Sequence, residues 1–320
     1  MKVIVTDHGF PGTAEEQRIV SEAGGTLHIA QCKTAEQVVA ACRDADALLV
    51  QWAPITSEVI AALDRCRVIV RYGIGVDNVD LKAAAARGIA VCNIPDYCLD
   101  EVAEHSLAFA LALARQLPQT DAAVRAGTWK ITPPRPFPAL RDVVFATAGY
   151  GRIARAVLER ARPFGFRLAA YDPFVKAEAF APDIRKLEKD DLFREAGVLS
   201  LHLPLTPETR HFVGRSELAA MRPEAIVVNT ARGGLIDTAA LAEALAAGRL
   251  HGAGIDVFEA EPLPAGHPLR TAPNAILTSH VAWYSGGSVP VLQRKAAEEA
   301  VRGARGEQPL NVVNGVTLRA

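Results

Sequence analysis

Arg232, Glu261 and His280 lie far apart in the chain, yet their residue types match the parts of one catalytic device. Each sits in a distinctive stretch: NTARGGLID around Arg232, IDVFEAEP around Glu261 and ILTSHVAWYS around His280. All three follow a glycine-rich turn, GYGRIA, that opens at Gly149. An arginine can grip a carboxylate through two parallel hydrogen bonds and polarise a ketone beside it. A histidine moves a proton near neutral pH, and a carboxylate partner favours its charged form. With a dinucleotide at the glycine turn, this set suits hydride transfer at a carbon next to a carboxylate, as in a 2-hydroxy acid. A lone histidine or a lone Glu-Pro is more often structural, so the pattern alone does not decide whether Glu261 and His280 meet.

The turn has the context that a dinucleotide requires. A strand expected over residues 143–148 runs into Gly149-Tyr150-Gly151-Arg152-Ile153-Ala154, and a helical pattern follows to about Arg162. Gly149 permits the tight turn, Gly151 lets the backbone approach a pyrophosphate, and small Ala154 allows close helix–strand packing. The helix N-terminus then faces the phosphates with its amides and its dipole. A second strand, RLAAYD, ends in Asp172, roughly 20 residues past the turn, where an acid accepts hydrogen bonds from the ribose hydroxyls. Such an acid repels a 2′-phosphate and favours NAD over NADP. The plainer alternative is that Asp172 only caps a strand before Pro173.

The catalytic candidates occupy similar places. Arg232 follows an expected strand at 226–229, and His280 follows one at 276–278. Glu261 comes after a strand ending at Val257. Ligands of open α/β sheets bind at the carboxyl ends of the strands. Gly233-Gly234 beside Arg232 implies close backbone approach; without it, Arg232 would read as a surface arginine in a turn. His202, in LSLHLP, is expected to line the cofactor site. His105, on a long helix, faces either a cleft or the surface. His8, His28, His211, His251 and His267 have no evident constellation. No HxxxH or carboxylate cluster points to a metal, and no GxSxG elbow points to a hydrolase.

The elements that must position these residues alternate along the chain. The 320 residues suffice for two domains. Strands are expected at 3–5, 47–50, 68–70 and 89–92. A helix is expected from Thr13 to Ala23, with Thr13 and Glu16 as a capping box, and a shorter one at 56–63. A long helix over 100–117 is expected to stop at Pro118, before a proline-rich linker, ITPPRPFPAL, at 131–140. The second series continues with strands at 168–171, 198–203 and 254–257, and a final helix spans about 289–305. Strands alternating with helices argue for parallel sheets covered on both faces.

Composition narrows the function. Lys plus Arg (35) nearly balances Asp plus Glu (36), a formal charge of −1, so no basic footprint for nucleic acid or anionic membrane exists. No apolar run approaches the roughly 20 residues of a membrane span, and the start, MKVIVTDHG, reads as a strand and not as a secretory signal. Five cysteines, Cys32, Cys42, Cys66, Cys92 and Cys98, form no CxxC pair. They read as small buried hydrophobes of a reducing, cytoplasmic compartment.

Along nearly its whole length the chain resembles the D-isomer-specific 2-hydroxyacid dehydrogenases. The matching stretches are RYGIGVDNVDL, GYGRIARAV, FGFRLAAYDP, LHLPLTPETR, NTARGGLIDTAAL, GAGIDVFEAEPLP and NAILTSHVAW. PDYCLDEVAEH and HVAWYS look most like the C-terminal-binding-protein-like branch, with phosphoglycerate dehydrogenases and glyoxylate reductases as near relatives. The resemblance implies an α/β fold of two doubly wound parallel-sheet domains. A Rossmann cofactor domain, residues 99–284, would be inserted in a flavodoxin-like substrate domain, residues 1–98 and 285–320, with the active site in a cleft that closes over substrate. It implies NAD as cofactor, a small 2-oxo or 2-hydroxy acid as substrate, and a homodimer.

The resemblance also implies roles. Arg232 would bind and polarise the oxo acid, His280 would exchange the proton, and Glu261 would keep His280 protonated. Asp256 would hold the nicotinamide carboxamide. Besides the turn Gly149-Tyr150-Gly151, the residues Arg152, Ile153, Asp172, His202, Pro204, Thr209, Thr230 and Ala231 would line the cofactor. Amides around Ile74 and Gly75 would meet the substrate carboxylate, with Arg71 and Trp283 on the substrate side. Four departures stand out. Ala154 replaces the usual third glycine, Ala146 replaces a glycine in the preceding strand, and Ser279 replaces a proline before His280, which implies a looser loop. Ser285–Ser288 (SGGS) stands where relatives carry acidic residues. Two other readings compete: an NAD(H)-sensing partner-binding protein of the C-terminal-binding type, and a formate or phosphite dehydrogenase. The complete Arg, Glu and His set argues against the first, and Glu261 against a formate dehydrogenase, which has glutamine there.

Overall fold

The structure is a computed structural model describing residues 1–132 and 135–318. The chain divides into two compact units, Met1–Cys98 with Tyr284–Ala320, and Leu99–Trp283. Pro133 and Pro134 of the proline-rich segment lie outside the described residues.

The first unit alternates β1 (Lys2–Val5), α1 (Ala14–Glu22), β2 (Thr26–Ile29), α2 (Ala35–Cys42), β3 (Ala47–Val50), α3 (Ser57–Ala62), β4 (Val68–Arg71), α4 (Leu81–Ala86) and β5 (Ala90–Cys92). The strands form a parallel sheet in the order β2-β1-β3-β4-β5. β3 is buried at every position, as expected of a parallel strand covered on both faces.

The second unit begins with α5 (Leu99–Ala114) and α6 (Leu117–Arg125). It continues with β6 (Val144–Ala148), α7 (Arg152–Ala161), β7 (Arg167–Tyr171), β8 (Ile184–Lys186), α8 (Lys189–Glu195), β9 (Val198–Leu201), α9 (Arg215–Ala220), β10 (Ile226–Asn229), α10 (Thr238–Ala246), β11 (Gly252–Ile255) and β12 (Ala275–Leu277). Its seven strands are parallel in the order β12-β11-β10-β9-β6-β7-β8. The order reverses between β6 and β9, the switch point at which a crevice opens in doubly wound sheets. The chain then returns to the first unit as α11 (Ser288–Ala304).

Several local expectations are corrected. Thr13 does precede α1, but its side chain caps nothing. Glu16 turns inward, fully buried, and accepts hydrogen bonds from the Tyr72 hydroxyl at 2.8 Å and Gln293 Nε2 at 3.0 Å. A buried carboxyl needs such partners more than a helix end needs a cap. Pro118 does not stop a single long helix. Gln116 adopts a left-handed backbone, φ 52°, and Pro118 sits in the first turn of α6, where its missing amide costs nothing. The strands expected at 198–203 and 254–257 end earlier, at Leu201 and Ile255, just before the polar His202 and Asp256. The Ser285–Ser288 segment closes a tight loop at the start of α11, with the Ser285 hydroxyl accepting the Ser288 amide at 2.9 Å.

Candidate active site

The second unit gathers its chemistry along the carboxyl edge of its sheet. Arg232 follows β10, Asp256 and Glu261 follow β11, and His280 follows β12, so neighbouring strands deliver the three candidates. His280 Nδ1 lies 2.7 Å from Glu261 Oε2. The other Glu261 oxygen accepts the Phe258 amide at 2.9 Å, and the Glu261–Pro262 peptide is cis. Burial opposes ionisation of Glu261. The His280 hydrogen bond and charge, the Phe258 amide and the Arg232 charge outweigh it, and its pKa falls below the ordinary glutamate value.

Gly233 explains how Arg232 reaches this group. A Cβ on Gly233 would lie 1.9 Å from the Phe258 carbonyl carbon, so only glycine lets the loops after β10 and β11 touch. The Arg232 carbonyl accepts Asn229 Nδ2 at 2.8 Å, and its guanidinium donates to the Ala231 carbonyl at 2.7 Å. The backbone of His280 is equally fixed. Its amide donates to the Asp256 carbonyl at 2.8 Å, and its carbonyl accepts Trp283 Nε1 at 2.7 Å. The Asp256 carboxylate accepts the Val281 and Ala282 amides, each at 2.9 Å. The loop expected to loosen for want of a proline is therefore held by several bonds.

The residues of the glycine turn fit NAD. A Cβ at Gly149 (φ 96°) would sit 2.7 Å from the His202 carbonyl oxygen, which makes glycine obligatory there. At Gly151 a Cβ would meet nothing within 4 Å, so the backbone is open on that side. No side chain caps the first turn of α7, which leaves the amides that follow Gly151 available to an anion. Ala154 is fully buried against the sheet. The Asp172 carboxylate stands at the end of β7, accepting the Tyr150 amide at 2.9 Å and the Phe174 amide at 3.0 Å. Tyr150 itself points into the core, stacked 4.3 Å from Phe180, so only its backbone belongs to the turn's open side. His202 follows β9 and meets the Ser200 hydroxyl at 2.8 Å; burial pushes its pKa down to about 3.

Other candidates serve the loops. The Thr209 hydroxyl donates to the Pro204 carbonyl at 2.7 Å, Thr230 pairs with Ser106 at 2.8 Å, and the Ala231 amide donates to Asn229 at 3.0 Å. Arg152 is exposed and Ile153 half-buried at the start of α7. In the first unit, Arg71 ends β4, with Ile74 and Gly75 in the turn after it; the Ile74 carbonyl accepts Asn93 Nδ2 at 2.6 Å.

Two supports escape sequence reasoning. His211 and His267 do have a constellation: Glu259 meets His211 Nε2 at 2.7 Å and accepts the Thr238 amide at 3.2 Å, while Thr238 contacts His267. This ties down the turn that carries Glu261. His105 reaches Thr278, two residues before His280. The residues in each pair are too far apart in the chain for any spacing rule to join them. Among the described residues, no group of His, Cys, Asp or Glu is arranged to hold a metal, and no helix is long and apolar enough to cross a membrane.

A Rossmann sheet with a fitted glycine turn, and a His–Glu pair and an arginine at the carboxyl ends of adjacent strands, define a dinucleotide-binding α/β protein. Residues 107–282 match the family described as D-isomer specific 2-hydroxyacid dehydrogenase, NAD binding domain. The chain is 39% identical over 98% of its length to a D-3-phosphoglycerate dehydrogenase of Methanocaldococcus jannaschii, covering 59% of that protein. It is 37% identical over 87% of its length to a glyoxylate reductase of Korarchaeum cryptofilum, covering 85% of it. The crystal structure of the TT0316 protein from Thermus thermophilus superposes with a TM-score of 0.88 at 36% identity, covering 98% of this chain and 100% of that one. The chain belongs to the D-isomer-specific 2-hydroxyacid dehydrogenase family. It spans only 50–59% of the length of the curated phosphoglycerate dehydrogenases that it matches.

Proposed function

We propose that the chain reduces a small 2-oxo acid to its D-2-hydroxy acid, and runs the reverse oxidation, with NAD(H). The observation that carries this is the 2.7 Å contact between His280 Nδ1 and Glu261, with the Arg232 charge close enough to act on the same carboxylate. Arg232 pairs with the substrate carboxylate and polarises the ketone. His280, held through Nδ1, keeps Nε2 for the proton: it gives the proton to the ketone oxygen in reduction and takes it back in oxidation. Glu261 orients the ring through Nδ1. NADH, held at the glycine turn and by Asp172, would supply the hydride. Asp172 favours NAD over NADP. Arg71, Ile74, Gly75 and Trp283 are the substrate-side positions that accompany this reading.

Two further properties go with it. The five cysteines are all buried and unbridged, which supports a cytoplasmic location. Leu117 and Val124 of α6, with Trp129 (81% exposed) and Ile131 (91%), leave apolar surface open, which supports a homodimer. The test is NADH oxidation over 2-oxo acids from glyoxylate to branched and aromatic ones, with the product resolved by chiral chromatography. D-2-hydroxy acid formation is expected. Tight NADH binding without turnover on any member would favour a sensing protein instead.

A further inference from the structure

Behind His280 the second unit holds a row of hydrogen bonds in which His105 and Thr278 have no part in the proposed chemistry. His105, on α5, places Nε2 3.1 Å from the Thr278 hydroxyl. That hydroxyl donates to Asp256 Oδ1. A hydroxyl has one proton, so toward His105 it must accept, and His105 is the Nε2–H donor. Burial pushes the His105 pKa down, against the pull of the Asp256 charge, and so favours the neutral ring. Its ring also packs edge-on against Phe109, with centroids 4.5 Å apart. The direction of the row is therefore fixed: His105 to Thr278 to Asp256.

The far end of the row is the backbone that carries His280. Asp256 is 1% exposed and accepts the Val281 and Ala282 amides on its carboxylate and the His280 amide on its carbonyl. His280 itself has φ 59°, a left-handed conformation that a side chain rarely adopts and that persists only where its surroundings enforce it. Thr278 bonds Asp256, and Asp256 accepts the amides of residues 280–282. Ser279, which lacks the ring constraint of a proline, leaves this task to hydrogen bonds.

We infer that His105 and Thr278 are positioning residues for His280: their row locks the Asp256 carboxylate, which holds residues 280–282 so that the imidazole meets Glu261. The inference rests on the reading of His280 as the acid/base. Displacing a catalytic group by a fraction of an ångström to an ångström slows chemistry by up to about 100-fold while leaving ground-state binding in place.

The experiment uses the whole chain. Thr278→Val keeps the shape and removes the hydroxyl; Thr278→Ser restores it. His105→Leu removes the donor; His105→Gln retains an N–H. The expected result is a kcat lower by about 10- to 100-fold in Thr278→Val and His105→Leu. The NADH affinity, read by quenching of tryptophan fluorescence, should be unchanged, with kcat within about twofold of wild type in Thr278→Ser and His105→Gln. In protein labelled with 15N-histidine, the His280 Nδ1 signal, assigned by its loss in His280→Ala, should shift in Thr278→Val and return in Thr278→Ser. Wild-type kcat in both disruptive variants, or a loss that the conservative variants do not rescue, overturns the inference. If Thr278→Val fails to fold, the His105 pair decides alone. Full activity in His280→Ala would instead remove the acid/base reading beneath it.

Discussion

The Nδ1 atom of His280 lies 2.7 Å from Glu261 Oε2, while the other Glu261 oxygen accepts the Phe258 amide. The carboxylate is thus oriented by its own turn before it orients the imidazole. Because the pair and the Arg232 charge hold Glu261 below its ordinary pKa against burial, the carboxylate persists through the usual glutamate range. The stabilisation of the pair is present above that range and is lost as pH falls through the lowered value. Glu261→Gln removes the charge and keeps the shape. We expect kcat to fall about 10- to 100-fold, matching ~1.5–3 kcal/mol for a hydrogen bond to a charged group. The acid-side loss of activity that Glu261 protonation causes should vanish from the kcat–pH profile. An unchanged profile contradicts the pairing.

Arg232→Lys tests the anchor. A lysine keeps the charge and loses the planar fork that suits a carboxylate. The expected outcome is a fall of about 10- to 100-fold in kcat/KM for the oxo acid, with the dissociation constant for NADH unchanged. Steady-state kinetics and fluorescence titration separate the two quantities.

Gly233→Ala tests the contact between loops. The new Cβ would fall 1.9 Å from the Phe258 carbonyl carbon, and a backbone neighbour cannot swing aside. Overpacking of this kind costs ~1–3 kcal/mol, visible in urea unfolding. The displaced loop should also lower kcat/KM. Wild-type stability and activity together would show that the loops do not approach this closely.

His202 gives a prediction about pH and stability. Burial holds its pKa at about 3, so the folded chain does not protonate it at pH 5. The unfolded chain takes a proton there at about pH 6.5. The folded state therefore loses stability as pH falls below about 6.5, until His202 itself protonates near 3. Urea midpoints at pH 7 and pH 5 should differ less in His202→Asn than in wild type.

Much of the site is legible in the sequence because its clues are local. The glycine turn, the acid at the end of β7 and the glycine pair beside Arg232 each depend on a few consecutive residues, and Gly149 and Gly233 turn out to be required by backbone neighbours. Strands such as β3 and β10 are legible because both faces are buried, leaving unbroken apolar runs. β2 escapes the pattern because it is an edge strand with little burial. Glu16 reads as a capping residue because only the fold shows that Tyr72 and Gln293 surround it. The row from His105 to Asp256 is invisible for the same reason: its members lie on α5 and after β11 and β12, which only the sheet brings together.

The central claim is that His280 moves the proton in an NADH-dependent reduction. The direct measurement is NADH oxidation with the 2-oxo acid panel for wild type and His280→Ala side by side, with NADH binding measured on both. The account predicts turnover by wild type on at least one 2-oxo acid, a kcat lower by about 10²- to 10⁴-fold in the variant, and equal NADH affinity. Equal turnover in the two proteins, or none by wild type with NADH bound, would contradict it.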